Sequence, residues 1–156
     1  DDQLALTAAD RRDRVDHLIR AIQWDGSLLR SIHAQEFEAI VAAIFQSEGY
    51  QTEVISRWNE KDGGVDLFAI SRNAGGITTR FAIQCKRWSN KVSAAPIREL
   101  AGVLDRHHAH QGVVVTTSHF TDEAKAEVVS HLWRISLRDY DDILAAINRM
   151  QLNRDR

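Results

Sequence analysis

The first third of the chain carries two stripes of apolar residues at helical spacing. One stripe follows the candidate helix caps Thr7 and Asp10 and stops near Trp24-Asp25-Gly26, which predicts an amphipathic helix. The second stripe predicts a helix over residues 34–48, with Gly49 placed to end it. The apolar positions are Val15, Leu18, Ile19 and Ile22 in the first stripe and Phe37, Ile40, Val41, Ile44 and Phe45 in the second. We expect the first helix to pack on the domain as an added element.

The pattern then changes to one typical of β-strands. Residues 50–57 are rich in β-forming side chains, and mostly apolar runs follow at 65–71 and 78–87. The turn sequence Asn73-Ala74-Gly75-Gly76 joins these two runs. It predicts an antiparallel hairpin.

The second half of the chain alternates between helix and strand. Pro96 suits the first turn of a helix, and the β-branched run 113–117 predicts a central strand covered on both faces. Thr121 precedes another helix, residues 133–137 form a short strand, and Asp139 begins the last helix. Because helices separate the later strands, we expect parallel pairing there. The prediction is an α/β fold with a mixed sheet of about five strands, flanked by helices on both faces.

Length and composition indicate one globular core. The chain has 156 residues, of which 44% are hydrophobic, and no stretch has the length of a membrane span. We find no secretion leader and expect a soluble, cytoplasmic protein. Cys85 is the single cysteine, which excludes an internal disulfide and a cysteine-based metal site and fits a reducing compartment. Its strand position predicts a small buried hydrophobic residue.

The net charge of −2 conceals an uneven distribution of charge. No Asp or Glu lies between Leu67 and Arg98, whereas acidic residues gather near both ends of the chain. The basic residues of this stretch are Arg72, Arg80, Lys86, Arg87, Lys91 and Arg98. A locally basic face can attract a phosphate backbone, because the field at the docking surface decides binding. The alternative is an ordinary solvated surface.

Three polar residues stand where buried strands are expected to be apolar: Asp66, Gln84 and Lys86. Gln84 and Lys86 share one strand face, and the short turn brings the strand of Asp66 beside them. Carboxylate and amide oxygens suit a hard cation such as Mg²⁺, and a lysine can orient a water and offset charge on a phosphate. The cluster therefore predicts phosphodiester hydrolysis, with Glu38, or less favourably Glu36, as a further acidic group. The alternative is a cross-strand ion pair with an incidental hydrogen bond.

Five separated sequence blocks fall on these predicted elements. They are Gln35-Glu36-Phe37-Glu38 with Gly49-Tyr50, Asp62-Gly63-Gly64-Val65-Asp66-Leu67, Gln84-Cys85-Lys86-Arg87-Trp88, Ile97-Arg98-Glu99-Leu100-Ala101-Gly102, and Gly112-Val113-Val114-Val115-Thr116-Thr117-Ser118 with Phe120-Thr121. In this order, over about residues 34–147, they resemble the Mrr-type catalytic domain of the PD-(D/E)XK nuclease superfamily. The resemblance implies a restriction-endonuclease-like fold and a Mg²⁺-dependent DNA endonuclease, often the nuclease part of a restriction or defence system.

The same resemblance implies roles for individual residues. Asp66, Gln84 and Lys86 match the metal-binding and catalytic positions, and Glu38 matches the helix acid. The main-chain carbonyl of Cys85 would contribute a metal contact, and Mn²⁺ could replace Mg²⁺. Many relatives have Gly-Asp-Gly-Gly-Val-Asp, whereas Lys61 stands at the first glycine here. That departure changes the loop and leaves the catalytic aspartate in place.

Aromatic and basic residues flank the predicted site. Trp58 and Trp88 lie near Arg57, Lys61, Arg87 and Lys91, a mixture suited to stacking on bases and holding phosphates, although the tryptophans could equally be partly buried. Thr117 and Ser118 end the central strand, where open α/β sheets commonly bind ligands. His107, His108 and His110 are interpreted as surface residues at a helix end rather than as metal ligands.

We divide the chain into an N-terminal helical extension, residues 1–30, and a nuclease domain, residues 31–156. The expected partner is double-stranded DNA. Alternatives are a DNA-binding or assembly module that does not cut, and a nuclease for Holliday junctions or RNA. Cutting both strands needs two sites or two events, which is consistent with a homodimer. The chain begins Asp1-Asp2 without methionine, so a further recognition or regulatory domain could lie outside it.

Overall fold

A computed structural model describes residues 7–55 and 64–152 of the chain. Helices and strands follow one another in the predicted order, with one added 3₁₀ helix, Gly26–Arg30. The α-helices are α1 (Ala8–Trp24), α2 (Ala34–Ser47), α3 (Ala94–Val103), α4 (Asp122–Ser130) and α5 (Tyr140–Arg149). The strands are β1 (Gln51–Val54), β2 (Leu67–Arg72), β3 (Thr78–Lys86), β4 (Gln111–Thr116) and β5 (Ile135–Arg138).

The five strands form one mixed sheet in the order β1-β2-β3-β4-β5. β1, β2 and β3 pair antiparallel, so the predicted hairpin is confirmed. β3, β4 and β5 pair parallel, as expected for strands joined by crossover helices. β4 lies between two parallel neighbours and all its residues except Gln111 are buried, which confirms the central strand.

Hydrophobic residues pack on both faces of the sheet. One face contains Ile83, Val113 and Val115 in a core that includes the buried residues of α1, α2 and α5. The other contains Ala82 and Val114 in a core with α3 and α4. The sheet is therefore sandwiched between two helical layers, as the alternation along β3 predicts.

The N-terminal part of the chain is built into the first of these cores. Ile19 and Ile22 of α1 and Leu29 of the 3₁₀ helix are fully or almost fully buried. Gln23 ties α1 to the end of α5, because its Nε2 donates to the carbonyl of Ile147 at 2.8 Å. The α1 helix and the 3₁₀ helix thus share the first core with α2 and α5.

Helix ends follow the predicted caps. Thr7 and Asp139 each accept a hydrogen bond from the main chain three residues later, at the starts of α1 and α5. Gly49 follows α2 with a φ of +97°, a conformation that favours glycine.

None of the helices in the described part of the chain combines the length and the apolar character that a membrane span requires.

Candidate active site

Asp66 lies immediately before β2 and is held against β3 by its main chain and its side chain. Its N–H donates to the carbonyl of Ile83 at 2.8 Å. Its Oδ2 accepts the N–H of Cys85 at 2.7 Å. The carboxylate therefore lies at the level of Cys85, the residue between Gln84 and Lys86. The structure thus brings Asp66 to the segment of β3 that carries the other two predicted site residues.

Gln84 is a buried polar residue in the middle of this arrangement, with a relative exposure of 1%. Gly64 lies against its amide group. A Cβ at Gly64 would stand 2.2 Å from Nε2 of Gln84, and the φ of Gly64 is +74°. Only glycine avoids both the overlap and the backbone strain at this position. The glycine-containing loop before Asp66 therefore makes room for the amide of Gln84.

Lys86 ends β3 and is partly buried. Its Nζ lies 4.9 Å from the centroid of the Trp88 ring, within the range of a cation–π contact. Its main-chain carbonyl accepts hydrogen bonds from the Thr116 hydroxyl at 2.7 Å and from the Thr117 N–H at 3.2 Å. β4 thus fixes the backbone of Lys86, and Trp88 contacts its ammonium group.

The two candidate helix acids occupy different positions on α2. Glu36 accepts the N–H of His33 at 2.9 Å, and this bond caps the start of the helix. Glu38 is partly buried and faces β3. Burial raises the pKa of the Cys85 thiol well above its ordinary value, and the charges of Asp66 and Glu38 raise it further. Glu38, and not Glu36, is among these charges, so Glu38 is the preferred candidate for the helix acid, and its place in the site stays a prediction.

Cys85 packs at the edge of the first core and is partly exposed. Its raised thiol pKa keeps the side chain neutral, in line with its interpretation as a small hydrophobic residue. The metal contact assigned to its main-chain carbonyl stays a prediction.

The chemistry of the residues predicted to form the site fits a hard divalent cation. Asp66 and Glu38 provide carboxylate oxygens, and Gln84 provides a buried amide. Oxygen ligands of this kind suit Mg²⁺ and Mn²⁺, whereas thiolates and imidazoles favour softer metals. The chemistry of the donor set therefore agrees with the metal that the sequence predicts.

A cavity of about 900 Å³ lies next to this cluster, at the ends of β3 and β4. Its basic lining residues are Arg30, Arg87, Lys91 and His119. Trp88 also lines it, and the same ring contacts the ammonium of Lys86. Trp88 is therefore shared by the cavity lining and the predicted cluster.

Most of the residues predicted to contact DNA line this cavity, but several also have structural roles. The hydroxyls of Thr117 and Ser118 are buried and donate to the carbonyls of Trp88 and Ser89, both at 3.3 Å. Arg87 donates through Nε to the carbonyl of Ile32. These bonds hold the loop after β3 and the segment before α2, and DNA contact by the three residues stays a prediction. Arg57, Trp58 and Lys61 lie outside the described residues.

The basic residues between Leu67 and Arg98 lie in different environments. Arg87 and Lys91 line the cavity, whereas Arg98 pairs with Glu127 of α4 and Arg80 stacks on the ring of Phe68. The predicted basic face is therefore smaller than the sequence suggested.

Four cavity residues, Arg30, Ser89, Asn90 and His119, are not among those predicted from the sequence. Arg30 belongs to the 3₁₀ helix, and a single short turn has no periodicity by which a sequence reveals it. His119 contacts Asp141 at 3.2 Å, and its nearest possible ligand atoms lie within 4.8 Å of those of Asp139 and Asp141. Asp139 also caps α5, so this group has a structural role.

The histidines near the end of α3 also have structural roles. Nδ1 of His110 accepts the N–H of Arg80 at 2.9 Å, and the ring of His107 packs against Phe68. His108 and His110 are exposed, as the sequence predicts, whereas His107 is partly buried.

Comparison with known proteins finds restriction endonucleases that are similar to most of the chain in sequence or in fold. The chain is 30% identical over 132 residues to the type IV methyl-directed restriction enzyme EcoKMrr of Escherichia coli (strain K12), covering 80% of this chain and 42% of that protein. Its fold is similar to that of the DNA modification-dependent restriction endonuclease AspBHI, with a TM-score of 0.64 and 22% identity, covering 95% of this chain and 39% of that one. It is also similar to MspJI restriction endonuclease, solved in complex with a 27-mer oligonucleotide, with a TM-score of 0.55 and 20% identity over 94% of this chain and 33% of that one.

The chain therefore spans less than half the length of each of these relatives. The structural likenesses confirm the restriction-endonuclease-like fold. The model of the Mrr-type catalytic domain, described as restriction endonuclease, matches residues 29–147, and the chain belongs to this family.

Proposed function

We propose that this chain is the catalytic part of a metal-dependent endonuclease that hydrolyses phosphodiester bonds in double-stranded DNA, within a restriction or defence system. The observation that carries the proposal is the hydrogen bond from the Cys85 N–H to Asp66, which holds a carboxylate at the β3 residue between the buried Gln84 and Lys86. Membership of the Mrr-type family supports the assignment, as do relatives named as restriction endonucleases.

Asp66, Gln84 and Glu38 would hold Mg²⁺, with the Cys85 carbonyl as a further ligand, and Mn²⁺ would serve in its place. When bound, such a cation polarises a phosphoryl oxygen and makes a bound water more acidic. The protein contributes the fixed positions of the oxygen ligands. Asp66 is held by two hydrogen bonds to β3, which leaves its carboxylate little freedom to leave the site.

Lys86 would orient the attacking water and offset the negative charge that develops on the phosphate. Its backbone is fixed to β4, and its ammonium is held near the Trp88 ring. An amine held in this way loses little freedom when a phosphate arrives. It is therefore preorganised for its role.

Arg87 and Lys91 would contact the DNA, together with Arg57 and Lys61, while Trp88 would position the Lys86 ammonium, and Thr117 and Ser118 would support the loop on which Trp88 lies. MspJI restriction endonuclease was solved in complex with a 27-mer oligonucleotide, which supports DNA as the partner class of the shared fold. We further propose that the protein acts in the cytoplasm, with a recognition or regulatory domain outside residues 1–156, and that double-strand cutting involves a homodimer.

Cleavage of supercoiled plasmid with Mg²⁺ or Mn²⁺ tests the proposal. We expect nicking or linearisation that EDTA abolishes and that both Asp66→Ala and Lys86→Ala lose. Asp13→Ala and Lys125→Ala are matched controls, because both side chains are exposed outside the cluster. Cutting that persists in EDTA or in both site variants would contradict the assignment. Salt-sensitive binding without any cutting would favour a non-cleaving DNA-binding module.

A further inference from the structure

The cavity beside the candidate active site is lined by positively charged residues. Arg30, Arg87 and Lys91 line it, and no Asp or Glu is among its described lining residues. Of these cations, Arg87 already donates to the carbonyl of Ile32. Within the described part of the chain, neither Arg30 nor Lys91 forms an ion pair with a carboxylate. Among the described residues, Arg30 and Lys91 therefore bring two positive charges to the cavity with no carboxylate paired to them.

Arg30 is held in place by an aromatic ring rather than by an acid. Its guanidinium carbon lies 4.2 Å from the centroid of the Tyr140 ring. That ring is fixed in turn, because the Tyr140 hydroxyl donates to the carbonyl of Gly26 at 3.0 Å. Stacking orients the guanidinium and leaves its N–H groups able to bind an anion.

The nature of the cavity lining favours a polyanion over a small metabolite. Eight of its nine lining residues are polar or charged, and Trp88 is the exception. Phosphate backbones are held by cations and polar side chains, and a polyanion can contact several cations at once. The Trp88 ring also contacts Lys86, so an anion in the cavity would lie next to the catalytic cluster.

We infer that Arg30 and Lys91 form a binding site for backbone phosphates of the DNA duplex next to the phosphate that is cut. This inference rests on the proposed function. It assigns a DNA contact to the 3₁₀ helix that follows α1, so residues before position 31 take part in substrate binding.

The test is binding of a labelled duplex oligonucleotide in EDTA, measured by fluorescence anisotropy over a range of salt concentrations. Each phosphate contact contributes about 0.9 to the slope of log K against log salt concentration. Arg30→Gln and Lys91→Gln should each reduce that slope by about 1 and weaken binding alike for unrelated DNA sequences. Arg30→Lys should keep most of the slope, because it keeps the charge.

Arg106→Gln and Lys125→Gln are the matched controls, since both side chains are exposed and neither lines the cavity. If the cavity variants bind as tightly and with the same slope as these controls, the phosphate site is wrong. Inorganic phosphate or a nucleoside monophosphate that displaces the duplex at concentrations near the duplex Kd would identify a small-ligand pocket and would also overturn it. Because metal is absent, these outcomes are separate from failure of the cleavage assay.

Discussion

The N–H of Cys85 donates to Oδ2 of Asp66 at 2.7 Å, so the backbone of β3 positions the carboxylate at the start of β2. This contact gives Asp66 two separable properties. The oxygen satisfies a strand N–H, and the carboxylate carries a negative charge. An asparagine at this position would keep an oxygen acceptor and lose the charge.

We therefore expect Asp66→Asn to fold like the unmodified chain and to cut DNA at least about 100-fold more slowly, since a metal site that loses its charged ligand loses affinity and activity. Asp66→Ala should lose activity and also some stability, because the Cys85 N–H loses its partner, at a cost of about 1–3 kcal/mol. Plasmid cleavage and thermal unfolding measure the two effects. Asp66→Asn with full activity would show that the charge has no role.

Trp88 contacts the ammonium of Lys86, and we expect the ring to position that group for the reaction. Trp88→Ala should slow single-turnover cleavage by about 2- to 30-fold, because a cation–π contact contributes about 0.5–2 kcal/mol. Trp88→Phe keeps an aromatic face and should recover part of the rate. Cleavage rate at saturating enzyme and duplex affinity in EDTA are measured separately.

The two measurements on Trp88 distinguish positioning from DNA contact. A positioning role lowers the rate and leaves the affinity almost unchanged. If Trp88→Ala instead weakens duplex binding at an unchanged single-turnover rate, then the ring, 41% of which is exposed, acts by stacking on a base.

The sequence predicts the catalytic cluster because its members break the strand pattern. Asp66, Gln84 and Lys86 are polar residues in apolar runs, and the short turn between the runs fixes which strands are neighbours. The antiparallel β2–β3 hairpin and the parallel pairing of the later strands follow from hairpin and crossover lengths, whereas the place of β1 beside β2 is not predicted. Local patterns are therefore enough to predict the fold and to bring Asp66 beside the strand of Gln84 and Lys86, whose catalytic roles stay predictions.

The cavity depends on contacts that no local pattern contains. Arg30 reaches it from a 3₁₀ turn, and its partner Tyr140 is more than a hundred residues away in the sequence. Thr117 and Ser118 carry hydroxyls that could face a ligand, yet both donate to carbonyls of the loop after β3. Tertiary packing determines which partner such a hydroxyl binds, and a single sequence does not predict that packing.

Arg98 lies within the basic stretch of the sequence, but it should contribute nothing to DNA binding because Glu127 already occupies its guanidinium. The hydrogen bond with Arg98 lowers the pKa of Glu127 below its ordinary value. In Arg98→Gln we expect the Glu127 pKa to rise towards that value, as measured by NMR titration, while duplex affinity changes by less than about 2-fold, the usual effect of a distant surface charge. A loss of affinity like that of Lys91→Gln would place Arg98 at the DNA surface.

Substitution of Gly64 tests whether the position of the Gln84 amide matters for activity. Gly64→Ala introduces a Cβ 2.2 Å from Nε2 of Gln84 and forces an L-residue to a φ of +74°. Gly76→Ala is a matched control, because its φ of +80° imposes similar backbone strain with no atom within 4 Å of the new Cβ. Each variant should lose about 1–2 kcal/mol of stability from the backbone alone.

Only Gly64→Ala should also displace the Gln84 amide, and we expect it to reduce plasmid cleavage by about 10-fold or more, as changes to the support of a metal ligand commonly do. Gly76→Ala should cut at close to the normal rate at a temperature well below its midpoint of unfolding. The readouts are the melting temperature and the initial nicking rate of both variants in the same buffer. Equal nicking rates at equal stability would mean that the amide of Gln84 can move without loss of function, and its assignment as a metal ligand would then be wrong.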